Sequence, residues 1–106
     1  MTVAVATGQK VFVSGTKAFG SNAAGGAKDL KLYVCYQSNV PGSNIVTIGS
    51  GLFGLSVLQG MRLPFSLSAD FAPIQGTYLV GLCGSSGNAA SWDNNEWGYV
   101  SAIVHN

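Results

Sequence analysis

The stretch Arg62-Leu63-Pro64-Phe65-Ser66-Leu67-Ser68-Ala69-Asp70-Phe71 alternates without a break. Leu63, Phe65, Leu67, Ala69 and Phe71 fall on one side of an extended chain, and Pro64, Ser66, Ser68 and Asp70 on the other. A period of two is the repeat of a β-strand, whose successive side chains point to opposite faces. One apolar and one wet face imply an antiparallel sheet covered on a single side. Pro64 has no N–H to give a neighbouring strand, so this segment is expected at a sheet edge or at a strand start.

The same signal recurs in both directions. Strands are expected near 2–7, 10–19, 29–37, 44–49, 52–58, 62–71, 77–84 and 97–105, separated by clusters of Gly, Asn, Ser and Pro. The longest loop is expected at 84–96. No segment carries a helical repeat of useful length. Short strands at this spacing predict an all-β domain, a two-sheet antiparallel sandwich, spanning residues 1–106 as one unit.

Three strands differ from 62–71. Leu30–Gln37, Thr77–Cys83 and Trp97–Val104 are apolar on both faces. A two-layer sandwich covers one face of each sheet, so a subunit interface over a second face would explain them. Scattered surface apolar residues are the plainer explanation. Composition favours the interface. Only 8% of the 106 residues are charged, where about a quarter is usual. The expected assembly is a homo-oligomer.

A net charge of +1 without a basic cluster argues against nucleic acid, which needs several cations converging on phosphates. No apolar run approaches the roughly 20 residues of a membrane helix, so no membrane insertion is expected. The first residues show no basic-then-apolar signal pattern, so a secretion signal is expected to be either absent or removed. The chain could also be an accessory domain of a larger secreted protein. Cys35 and Cys83 both sit inside expected strands, in similar contexts. They are expected on neighbouring strands, either bridged or both buried as small apolar side chains. The expected location is outside the cell or at its surface.

Nothing in the chain resembles catalytic machinery. The one histidine, His105, is next to the last residue, and both cysteines lie in strands. The glycine sets are not followed by the helix that phosphate cradling needs. No enzyme activity, cofactor or resident metal is expected.

The most informative cluster is Ser91-Trp92-Asp93-Asn94-Asn95-Glu96-Trp97-Gly98-Tyr99. Aromatic faces pack on the C–H faces of a sugar ring, while carboxylates and amides bond its hydroxyls. Trp92, Asp93, Asn95 and Trp97 are therefore candidate carbohydrate ligands. Two other readings remain. Asp93, Asn95 and Glu96 offer oxygens to calcium, though without the alternating pattern of known calcium loops. Alternatively, the tryptophans close one end of the sandwich.

Met61-Arg62-Leu63-Pro64-Phe65-Ser66-Leu67 resembles the tumour-necrosis-factor-like, fucose-binding lectin domains of bacterial superlectins, which carry Arg, an apolar residue and Pro-Phe-Thr-Leu at this place. Tyr99-Val100-Ser101-Ala102-Ile103 resembles their closing Ser-Ala-Ile strand, and Tyr33-Val34-Cys35 with Ser38-Asn39 is a weaker match. Together these stretches cover about a third of the chain. The resemblance implies a jelly-roll protomer, a compact trimer and fucosylated glycans bound near protomer interfaces. It implies sugar contacts from Arg62 and from Tyr33, with Asn95 standing where the family has an Asp and Asp93 two residues away. A second family arginine has no counterpart, and Gly54-Leu55 replaces a Thr-Tyr pair. The expected function is thus a non-catalytic, trimeric lectin. The alternative is a structural or assembly domain without a sugar site.

Overall fold

A computed structural model covers residues 1–106 and contains seven strands. These are β1 (Thr2–Val5), β2 (Lys10–Ser21), β3 (Ala27–Ser38), β4 (Val46–Val57), β5 (Met61–Phe71), β6 (Gly76–Ser86) and β7 (Tyr99–His105). One turn of 3-10 helix follows β6 at Ala89–Ser91. The strands form two antiparallel sheets, one ordered β1-β6-β3-β4 and the other β5-β2-β7. Every connection except the β3–β4 hairpin passes from one sheet to the other. Alternating connections of this kind between two packed antiparallel sheets are those of a jelly-roll sandwich.

β5 takes the edge that Pro64 requires, with Pro64 opposite Ala18 of β2. Its apolar face meets that of β2 in register. Val11 lies opposite Phe71, Val13 opposite Ala69 and Gly15 opposite Leu67. Between the sheets run two buried clusters joined by Leu67. One is rich in valine (Val3, Val5, Val11, Val13, Val34 and Val80, with Tyr78). The other gathers Ala27, Leu30, Leu32, Val57 and Trp92.

The expected strands at 44–49 and 52–58 are one strand. Gly49, Gly51 and Gly54 all have positive φ, and the β3–β4 register slips at three places. The glycines therefore act as bulges that bend a continuous strand, where the sequence reading placed a break. At Gly51 a side chain would also strike the Leu32 carbonyl and the Tyr33 ring. The first strand stops at Val5, and the last begins at Tyr99.

Cys35 and Cys83 form a disulfide between the adjacent strands β3 and β6, with Cα atoms 5.9 Å apart. The bridge lies on the outer face of its sheet, where it supplies outer apolar positions to two of the doubly apolar strands, β3 and β6. The other apolar outer positions stay open in the single chain. Leu79, Ile103 and Tyr99 are exposed.

Candidate functional site

The segment after the 3-10 turn is irregular, yet almost every residue of it is tied down. Trp92 donates its indole N–H to the carbonyl of Lys28 at 3.1 Å. Asp93 Oδ1 accepts from the backbone N–H of Asn22 at 2.8 Å. Asn95 bonds at both ends of its amide: Oδ1 accepts from the Gly20 N–H at 3.1 Å, and Nδ2 donates to the Trp92 carbonyl at 2.8 Å. The backbone N–H groups of Asn94 and Glu96 donate to the carbonyls of Gly20 and Ala18. Residues 92–96 thus run alongside the end of β2 where β7 has not yet begun.

Two residues of β2 and β5 make this docking possible. Gly20 lies opposite Arg62. A Cβ on Gly20 would stand 2.5 Å from the Met61 carbonyl oxygen and 2.7 Å from that of Asn94. With no side chain there, Arg62 reaches across β2. Its Nε donates to the Asn94 carbonyl at 2.9 Å, and its terminal nitrogens bond the Asn94 side chain and the Glu96 carboxylate. The arginine fork matches these acceptors by its fixed planar geometry.

The candidate residues therefore divide. Arg62, Asp93, Asn95 and Trp97 share one end of the sandwich, but Asp93 and Asn95 spend their side chains on the protein's own backbone. Trp92 does not present a face to a ligand as expected. It is 8% exposed and packs edge-on against Phe19 in the second core cluster. Burial of so large a ring outweighs any gain from exposing it, so it serves as the plug of the alternative reading. Tyr33 is on the outer face of the other sheet, packed edge-on against Phe53, and does not join Arg62 within one chain. Three metal-ligating side chains do not converge anywhere, and Asp93 and Glu96 are each engaged by separate partners.

Trp97 is the most exposed aromatic, 88% exposed, ahead of Tyr99 and Phe53. It borders two adjoining shallow depressions. One is lined by Lys17, Asn95 and Glu96, the other by Thr16, Lys17, Pro64, Glu96 and Tyr99, with a volume of about 340 Å³. Lys17 and Gly20 were missed by sequence reasoning. Lys17 had a readable signal: it falls in the apolar column Val11, Val13, Gly15, Lys17, Phe19, where a lone charge on a core face marks an opening. Gly20 had none, because its role depends on chain 74 residues away. No family model, no curated protein and no solved structure matches the chain.

Proposed function

We propose that the protein is a non-catalytic carbohydrate-binding module that acts as a homotrimer outside the cell or at its surface. The observation that carries this reading is Trp97, held out to solvent beside Lys17, Glu96 and Asn95. A flat exposed ring offers a sugar an apolar face, and Lys17, which has no carboxylate partner, offers hydrogen-bond donors beside it. In a chain so poor in charge, three polar side chains around one exposed tryptophan stand out. The disulfide supports an oxidising location, since such bridges persist mainly outside the cytosol. The exposed apolar residues Leu79, Phe53 and Ile45 support burial against other protomers.

A glycan array is the test, with fucosylated glycans included because of the sequence resemblance and Trp97→Ala as control. Binding that disappears in the variant supports the reading. An array without signal rejects it. Sedimentation tests the assembly, and a monomer at micromolar concentration rejects the trimer. The second reading, an assembly domain without a sugar site, draws on the same exposed apolar residues. It gains if the array is silent and the protein is oligomeric.

A further inference from the structure

A second opening lies between the sheets, next to the exposed tryptophan; it shares Lys17 and Asn95 with the Trp97 depression but has its own apolar floor. β7 begins opposite Thr16, so β2 beyond that point has no strand on one side. Across the gap, Gly84 of β6 carries no side chain to fill it. The resulting cleft of about 290 Å³ is floored by Leu30, Leu32, Leu82, Phe19 and Trp92. It is mostly apolar and roughly twice the size of a 150 Å³ apolar cavity that holds benzene. Lys17 stands at its mouth, with Nζ 5.3 Å from the centroid of the Phe19 ring. This ammonium has no carboxylate partner. The ion pairs of the protein are Arg62–Glu96 and His105–Asp70. The hydroxyl-bearing Ser85 lies on the same rim.

We propose that this cleft binds a small amphipathic carboxylate, an aryl ring or short alkyl chain ending in one negative charge. The apolar body covers the floor formed by Phe19, Leu32, Leu82 and Trp92 and removes apolar surface from water. The carboxylate meets Lys17, the half-buried cation that lies over Phe19 and lacks a carboxylate partner. A neutral apolar molecule would leave that charge unpaired beside a newly dried surface. A free inorganic anion would gain nothing from the floor. The chemistry thus selects molecules having both parts. The site does not depend on the sugar reading.

The test is titration of ¹⁵N-labelled protein, followed by two-dimensional amide spectra, with 3-phenylpropanoate, its neutral analogue 3-phenylpropanamide, and acetate. The expected result is saturable movement of the Trp92 indole N–H and of the Leu82–Ser86 amides by the carboxylate. The amide should bind about five- to tenfold more weakly, and acetate should leave these signals in place. Lys17→Met keeps the aliphatic stem, removes the charge and should abolish the preference. Trp97→Ala should bind 3-phenylpropanoate normally, which separates failure of this site from failure of the sugar site. Equal affinity for acid and amide in the wild type overturns the proposal even if the lysine variant does not fold. So does the absence of movement up to about 10 mM ligand, a concentration corresponding to negligible affinity.

Discussion

Arg62 Nε donates to the backbone carbonyl of Asn94 at 2.9 Å, joining the edge strand β5 to a segment 32 residues later across an intervening glycine. The arginine that the motif resemblance implies as a sugar contact thus has a prior engagement. It holds the platform on which Trp97 stands. Its effect on any ligand at Trp97 is then that of a positioning residue, all three of its guanidinium nitrogens being engaged by Asn94 and Glu96.

Arg62→Ala should release this platform. About a third of the side chain is solvent-exposed, so the bonds to charged groups are screened, and a loss of about 1–2 kcal/mol is expected. Hydrogen exchange gives the sharper reading. The amides of Asn94 and Glu96, which donate to Gly20 and Ala18, should exchange at least tenfold faster, while Val13 in the core strand should follow global unfolding. Unaltered exchange at Asn94 and Glu96 would refute the positioning role. Arg62→Lys should behave nearly like the alanine variant, because an ammonium cannot span the Asn94 and Glu96 acceptors as a planar fork does.

Gly20→Ala tests the same docking from the other side. Its methyl group would meet backbone oxygens of Met61 and Asn94, neither of which can swing away as a side chain could. The expected loss is about 1–3 kcal/mol, as for other overpacked sites, read from urea unfolding. Gly81→Ala is the control. Nothing lies within 4 Å of a Cβ there, so a neutral or slightly stabilising effect of up to about 1 kcal/mol is expected. Equal stability of the two variants would show that Asn94 does not depend on the missing side chain.

The fold was legible where alternation was strict. β5 follows directly from Leu63–Phe71, because a period of two leaves no other economical way to bury one face. β4 was misread because glycine has two uses that look alike in sequence. At Gly49, Gly51 and Gly54 it relieves positive φ inside a paired strand, while elsewhere it ends one. The candidate site was half legible. Composition pointed to 91–99, but the opposite fates of Trp92 and Trp97 depend on which side of the chain faces Phe19. That is set by the long-range bonds from residues 92–96 to Gly20, Asn22 and Lys28. Tyr33 illustrates the remaining limit: a residue type at a plausible place in a motif carries no information about which sheet its strand joins.

The Cys35–Cys83 bridge closes a loop with a sequence separation of 48. Restricting the unfolded chain by such a loop is worth about 4 kcal/mol in the chain-entropy account, with 2–4 typical of measured bridges. For a domain of this size, reduction should lower Tm by roughly 10–25 °C. The core leaves little reserve, since only 16 of 106 residues are buried. Thermal melts with and without a reductant, and of the Cys35→Ser/Cys83→Ser double variant, give the comparison. A shift of only a few degrees would mean that the sandwich does not rely on the cross-link.

The two tryptophans should separate stability from binding. Trp92 is a core residue, touching Phe19 edge-on at 6.4 Å between centroids and packed with Leu30, Leu32 and Val57. Trp92→Ala should lower stability by about 3–5 kcal/mol, the usual effect of removing a buried aromatic. It also strands the Lys28 carbonyl that the indole serves. Trp92→Phe should recover most of the packing but not that bond. Trp97 is 88% exposed, so Trp97→Ala should change stability by less than about 0.5 kcal/mol. If a sugar stacks on it, affinity should fall by up to roughly tenfold, the equivalent of one lost aromatic contact. Denaturant unfolding and calorimetric titration with an array-positive glycan, run on both variants, read the two effects independently. A Trp97→Ala protein that is markedly destabilised would show that the ring is packed in solution, by another protomer or by its own chain. A variant equal to the wild type in both stability and affinity would remove Trp97 from the sugar site.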